Sequence, residues 1–312
     1  MKNESEMFIA NGKLMMLASA ALRTSIISAE KIAMGAMTHK YTLIASNNTE
    51  YIIRFYPKNL SYIINYEPDL FKLAERENAL VPEVVYDSRK TSSKYDFIIY
   101  KKLQGQPLSS VLNEMPLPVL NEITTQIFKN ITVLHGIQFI GFGALIDSST
   151  GANDNWTAFL NNNIKEGIKN ISNLNISTNK ITKVIEFLHE IKFILTQRRT
   201  SPMFLWSDIS PENIIINKNK LSGFIDFDAV MSGDIAMEAG YLYAREMNSV
   251  FCDKLLNKYI KLGAVSFEII QFYSIIRLLR ISKYLSQPLP NGKPRDNPRD
   301  IFPGSFASID SL

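Results

Sequence analysis

The chain has 312 residues, enough for two lobes of ordinary domain size with a substantial core. Hydrophobic residues at 46% and charged residues at 21% exclude a disordered chain, and a net charge of +4 with dispersed Lys and Arg gives no support to nucleic-acid binding. The single cysteine, Cys252, excludes an intrachain disulfide and fits a reducing compartment, so a cytoplasmic location is expected, with no membrane partner because no stretch reaches transmembrane length.

In chain order, Leu14 to Leu22 is an apolar run preceded by Glu4 and Glu6 and closed by Arg23. It reads as a leading amphipathic helix and not as a signal-peptide core. Tyr41 to Ala45 and Tyr51 to Tyr56 are β-branched and aromatic runs joined by Ser46-Asn-Asn-Thr-Glu50, which predicts a hairpin. Tyr95 to Tyr100 reads as a buried strand. Pro118 to Leu134 has helical spacing and stops at His135-Gly136. Ile181 to Thr196 and Cys252 to Gln287 read as amphipathic helices, with Cys252 a small buried hydrophobe. His189 has no second ligand type nearby, so a metal role is not expected. After Pro288 the chain turns Pro-, Asn- and Asp-rich, which predicts a loop-like tail over the surface.

The most informative stretch is Trp206-Ser-Asp-Ile-Ser-Pro-Glu-Asn-Ile-Ile-Ile216, followed by Gly223-Phe-Ile-Asp-Phe-Asp228. Apolar strands flank a loop holding Asp208 and Asn213, and a further strand ends at Asp226. Asp208 and Asn213 alone would also suit an Asx-type turn, but such a turn does not predict Asp226. The trio suits phosphoryl transfer, which asks for positioning and charge neutralisation. Asp208 can accept the proton of a substrate hydroxyl. Asn213 and Asp226 offer the oxygen ligands that Mg²⁺ takes.

This segment resembles the catalytic loop of the aminoglycoside phosphotransferase and choline kinase superfamily of small-molecule kinases, which reads His-Gly-Asp or His-Asn-Asp, four residues, Asn, and then an Ile-Asp-aromatic turn. Ser232-Gly-Asp234 and Ala239-Gly-Tyr-Leu-Tyr-Ala244 resemble the helix start that follows. Trp206-Ser207 departs from the pattern, standing where relatives carry a histidine that braces the loop. The resemblance runs in ordered landmarks from Met34 to Ala244. It implies an α+β, bilobal protein kinase-like fold: a small β-rich N-lobe over residues 1–102, a hinge near Lys101, and a larger, mainly helical C-lobe over residues 103–312.

The resemblance also implies roles by position. Met34-Gly-Ala-Met-Thr-His-Lys40 resembles the loop that folds over nucleotide phosphates, with Thr38 supplying a hydroxyl donor. Arg54 occupies the place of the phosphate-clamping cation, although by pattern alone it reads equally as a solvated strand-face charge. Glu67 is the best-spaced carboxylate to hold it, ahead of Glu75 and Glu77, which read as a solvated helix face. Tyr100, Lys101 and Leu103 fall at the hinge edge that meets adenine, with ATP or GTP as co-substrate. His135 matches a structural histidine. Protein acceptors are not expected, since no Ala-Pro-Glu-type segment follows Asp226.

For the acceptor, a cationic aminoglycoside-type antibiotic would call for acidic residues such as Asp228, Glu238 and Glu246. Choline or ethanolamine would call for aromatics such as Trp156, Tyr241 and Tyr243. Trp156 at helical spacing is also an ordinary core position. The antibiotic is the first expectation and a metabolic alcohol the second. A nucleotide-binding pseudokinase is the rival of another class, and monomer and homodimer stay equally open.

Overall fold

The computed structural model describes residues 11–32, 38–91, 93–263, 265–285 and 296–312. Helix α1 (Asn11–Leu22) leads into strands β1 (Ile26–Lys31), β2 (His39–Ala45) and β3 (Glu50–Phe55). Helix α2 (Glu67–Arg76), β4 (Val84–Asp87) and β5 (Phe97–Lys101) follow, and the strands form one antiparallel sheet in the order β1-β2-β3-β5-β4. The predicted hairpin is β2–β3, with Asn48 at φ 63° in its turn, a left-handed position that asparagine tolerates.

The side-chain period of two divides this sheet into unlike faces. Leu43, Ile53, Phe55, Phe97 and Ile99 point to one face, where Leu14 and Ala18 of α1 cover them. Ile52, Ile98 and Tyr100 point to the other, which is continuous with the core of the rest of the chain. Arg54, two residues beyond Ile52, shares that second face. On β2 its cross-strand partner is Lys40, and that of Ile52 is Thr42. Sheet register thus brings the cations Lys40 and Arg54 to the same surface as Thr42 and Ile52.

Beyond the sheet come β6 (Gln106–Pro107), α3 (Leu117–His135), β7 (Phe142–Leu145), β8 (Gly151–Asn153), α4 (Trp156–Lys169) and α5 (Thr178–Thr196). Then follow β9 (Met203–Leu205), β10 (Ile214–Asn217), β11 (Lys220–Phe224), β12 (Met231–Gly233) and α6 (Ile235–Glu246). The chain ends with α7 (Val250–Lys261), α8 (Phe267–Leu285), α9 (Pro298–Ile301) and α10 (Pro303–Asp310). Small sheets β11-β10-β6 and β8-β7-β12-β9 flank the segment that carries Asp208, Asn213 and Asp226. Helix α8 is buried nearly all round through Phe272, Tyr273, Ile275, Ile276, Leu278 and Leu279, which makes it the central post. Helix α6 crosses it at Gly240, where a Cβ would lie 2.4 Å from that of Tyr273. Among the described residues no helix is long and apolar enough to cross a membrane.

Two expectations need correction, and one strand lacks a sequence signal. The end of the chain is not a surface loop: α10 buries Phe306 and Ile309, and Ser308 Oγ lies 2.9 Å from Ser274 Oγ of α8. Phe302, Phe306 and Ile309 have helical spacing, but the Pro-rich approach to them reads as loop. The run from Cys252 to Gln287 is broken at Gly263, whose φ of 75° ends α7. Strand β1 was not anticipated, because its exposed Ser28, Glu30 and Lys31 give an edge strand a polar composition.

Candidate active site

The catalytic segment leaves β9 at Trp206, which is fully buried and stacked on Phe224 at 4.2 Å. Its backbone N–H donates to Glu238 Oε1 of α6 at 2.6 Å. The other oxygen of that buried carboxylate accepts from Tyr259 at 2.5 Å and lies 2.7 Å from His135 Nε2. The Trp206 indole N–H donates to the carbonyl oxygen of Asp226 at 3.1 Å, and the Ser207 hydroxyl donates to the carbonyl of Ala229. The residues that replace the family histidine therefore tie the catalytic loop to the turn bearing Asp226.

After Asp208 the loop returns through a 3₁₀ turn at Pro211–Asn213. Asn213 Nδ2 donates to both the carbonyl and Oδ2 of Asp208, each at 3.1 Å, which turns its amide oxygen the other way. Lys218 and Asn219, with φ of 48° and 60°, make the tight β10–β11 turn. Strand β11 then delivers Ile225, whose N–H bonds the Asn213 carbonyl at 3.0 Å, and Asp226 at φ 70°. A non-glycine residue in that region persists only where its surroundings hold it. Here Trp206 holds its carbonyl, and the next N–H, of Phe227, bonds Glu67 Oε1 at 3.1 Å.

A charge cluster joins this turn to the sheet. Arg54 reaches Glu67 at 2.6 Å, Asp226 at 2.8 Å and Asp228 at 2.7 Å, while Lys40 reaches the other oxygen of Asp226 at 2.8 Å. Burial alone would lower the affinity of the Arg54 guanidinium for its proton; the carboxylates of Asp226, Glu67 and Asp228 outweigh burial and raise it. Burial would likewise raise Asp226, but Arg54 and Lys40 hold it well below the usual carboxylate range. Asp228 is pushed up to about 7, first by burial and then by the charge of Asp226, against the pull of Arg54. Glu67 rises through burial, offset by Arg54. The Tyr56 hydroxyl also donates to Glu67.

Above the cluster lies a cavity of about 260 Å³. Ile52, Tyr100, Leu103, Ile215 and Ile225 give it apolar walls, and Lys40, Asn213 and Asp226 give it a polar end. An apolar slot closed by cations and oxygen ligands matches a nucleotide, base first and phosphates toward the charges.

The sequence matches the phosphotransferase enzyme family, APH, over residues 28–265. The chain belongs to that family. Solved structures agree in fold. Aminoglycoside phosphotransferase APH(4)-Ia aligns at TM-score 0.68 and 16% identity, covering 96% of this chain and 96% of that one. The APH(2")-IIa enzyme, in a ternary complex with streptomycin and ATP, aligns at TM-score 0.63 and 16% identity, covering 97% of each. A putative fructosamine-3-kinase from Thermobifida fusca aligns at TM-score 0.62 and 11% identity, covering 97% and 98%. No curated protein sequence matches the chain. By membership this APH-family chain is a small-molecule kinase of the α+β, protein kinase-like fold.

For an APH-family enzyme the expected residues fall as follows. Asn213 and Asp226 line one end of the cavity, Asp208 is hydrogen-bonded to Asn213 just outside that lining, and Arg54 and Glu67 form a buried pair joined to Asp226. Pro68 does not disturb Glu67, because it sits in the first turn of α2, where its missing N–H costs nothing. Glu75 and Glu77 are exposed. Tyr100 and Leu103 line the cavity, but Lys101 is exposed and paired with Glu83 at 2.5 Å; its neighbour Lys102 lines the wall instead. Thr38 is buried at the foot of β2, and Met34 to Met37 lie outside the described residues.

The acceptor candidates are changed more. Trp156 is a core residue, stacked on Phe159 at 4.6 Å and bonded through its indole N–H to Tyr273. Tyr243 packs edge-on against Phe267. Asp228 belongs to the Arg54 cluster, and Glu238 to the brace under Trp206. Glu246 is half-buried and lines a groove of about 210 Å³ with Arg245 and Ser210. Sequence reasoning missed Lys40, Arg245 and Arg277. The alternation of β2 opposite Arg54 could have marked Lys40; the two arginines lie far along the chain and carry no local signal.

Proposed function

We propose that this kinase transfers the γ-phosphoryl group of ATP (or GTP), as its magnesium complex, to the hydroxyl of a small molecule. Lys40, Asn213 and Asp226 converge at the polar end of an apolar slot, with Asp208 bonded to Asn213 and Arg54 to Asp226, and this arrangement carries the reading. Asn213 and Asp226 present an amide and a carboxylate oxygen, hard donors that suit Mg²⁺ and would hold it. When bound, the ion neutralises charge on the phosphates.

The residues of the chain do the rest. Tyr100 and Leu103 meet the base edge, with residues 1–102 as the nucleotide-clamping lobe and 103–312 as the catalytic lobe. Lys40 and Arg54 exchange part of their hold on Asp226 for phosphate oxygens, and Glu67 keeps Arg54 aimed. Asp208 orients the acceptor hydroxyl and receives its proton. Retention of all three polar residues, with Trp206 bracing the Asp226 turn, favours turnover over a pseudokinase.

Hygromycin B accompanies a thermostable mutant of APH(4)-Ia, and streptomycin accompanies APH(2")-IIa. Such antibiotics are polycations. In this chain Asp228 is committed to Arg54, and Arg245 and Arg277 stand at Asp208, which favours the alternative acceptor, a hydroxylated metabolite. Neither does an aromatic cage for choline form: Trp156 is in the core, and the Arg277 guanidinium covers the Tyr241 ring at 4.8 Å. The test is coupled ADP release with Mg-ATP against aminoglycosides, choline, ethanolamine, sugars and hydroxy acids, with Asp208→Ala as control. A signal lost in the control supports the proposal. The absence of any nucleotide response with Mg²⁺ overturns it.

A further inference from the structure

Asp208 must be free to meet a substrate hydroxyl, yet its carboxylate is engaged by two guanidinium groups. Arg245, in the last turn of α6, lies 2.8 Å from Oδ1, and Arg277 of α8 approaches the same oxygen at 3.5 Å. Asn213 occupies Oδ2. Arg277 is mostly buried, is backed by the ring of Tyr241, and has a buried Nε without a hydrogen-bond partner among the described residues. Burial lowers its proton affinity, and the charge of Asp208 counters that.

One carboxylate oxygen thus serves two cations. When an acceptor hydroxyl takes that oxygen, both arginines lose their partner, and for the mostly buried Arg277 an unpaired charge is costly. Glu246 and Glu212 border the groove beside Arg245, and Glu246 feels its charge, but neither comes within ion-pair distance of Arg245 or Arg277 among the described residues, and neither is near enough to replace Asp208. The acceptor must therefore bring the replacement charge. We infer that the acceptor carries an anionic group, a carboxylate or a phosphate, close to the hydroxyl that is phosphorylated, and that Arg245 and Arg277 turn from Asp208 to hold it.

This inference rests on the kinase reading above and sharpens its acceptor class. The acceptor anion draws the arginines away and frees Oδ1 for the hydroxyl. The hydroxyl oxygen then bonds the γ-phosphorus as the bond from that phosphorus to the bridging oxygen breaks. The electron pair leaves with ADP, and the hydroxyl proton passes to Asp208 and on to solvent. An acceptor lacking the anion leaves Asp208 capped, so the charge acts as a selectivity filter on the base itself.

The test is the melting temperature of the full chain with Mg-AMP-PNP, before and after adding glycerol, glycerate, glycerol 3-phosphate or kanamycin, which differ in charge. Glycerate or glycerol 3-phosphate raises the melting temperature beyond glycerol and kanamycin, and whichever acts names the carboxylate or the phosphate. Arg245→Gln weakens that response about tenfold or more, and Arg245→Lys restores part of it. Arg245 is partly exposed, so its variants fold even where Arg277→Gln does not. An equal or larger response to glycerol or kanamycin overturns the inference, as does no anion response or one that survives Arg245→Gln. Loss of the Mg-AMP-PNP response itself overturns the kinase reading and this inference with it; a nucleotide response without an anion response overturns the inference alone.

Discussion

The two aspartates at the centre of the site are held in parallel ways by different parts of the molecule. Asp226 lies between Lys40 and Arg54, cations fixed by the register of neighbouring strands. Asp208 lies between Arg245 and Arg277, cations carried by two packed helices. The Asp226 cluster is braced further by Glu67, Tyr56 and the N–H of Phe227. Among the described residues, the Asp208 cluster is backed by the amide of Asn213 and the ring of Tyr241. The Asp226 side is therefore the more heavily braced and the Asp208 side the more adaptable. On the proposed reading this suits a nucleotide that is the same in every turnover and an acceptor set by cations on helices whose sequence can vary.

The largest expected effect separates the two aspartates. Asp208→Ala should lower turnover by about 10²- to 10⁴-fold while leaving the melting response to Mg-AMP-PNP intact. Asp226→Ala should lose both. Equal loss of nucleotide response in the two variants would erase the division between a nucleotide side and an acceptor side.

The rigidity of the sheet side can be tested through Glu67. Glu67→Gln disturbs a buried ion pair, which costs about 3 kcal/mol, at the low end because Arg54 keeps Asp226 and Asp228. Denaturant unfolding would read this loss, and a change below about 0.5 kcal/mol would mean that the cluster is not a structural brace.

Lys40→Met should raise the KM for ATP about tenfold, the worth of a charge-assisted hydrogen bond, with the KM for the acceptor unchanged. A rise in acceptor KM instead would place Lys40 on the acceptor side of the site. The smallest effect is expected at Trp206, where Trp206→Phe removes one hydrogen bond to the Asp226 carbonyl, worth about 1 kcal/mol. Calorimetric titration with Mg-AMP-PNP should show weakening of about fivefold, and Trp206→His should recover part of it.

How much of this was legible in the sequence follows from where each residue's partners lie. Asp208, Asn213 and Asp226 fall within one short strand–loop–hairpin unit, so local spacing fixes their geometry, and they were readable. Arg54 and Glu67 were readable through resemblance, since period two and one helix start carry them to the same place. Lys40 is set by cross-strand register, which the alternation of β2 opposite Arg54 signals only once the hairpin is paired, and Arg245 and Arg277 by the crossing of α6 over α8 at Gly240, which no local pattern encodes. Trp156 and Asp228 suit contact with an acceptor by residue type alone, but Trp156 packs on Phe159, the core position its helical spacing also allowed, and Asp228 pairs with Arg54, a partner its local sequence does not show. Helix α10 was hidden by the composition of the segment before it.

The tryptophan that stands in place of a histidine also gives the enzyme an optical handle. The chain has two tryptophans, and they occupy unlike surroundings. Trp156 sits in the helical core, whereas the Trp206 indole is bonded to the backbone of a metal-ligand candidate. Fluorescence from Trp206 should therefore change as Asp226 changes partners, with Trp156 as a constant background, so that filling of the nucleotide side can be followed by stopped-flow without any added label.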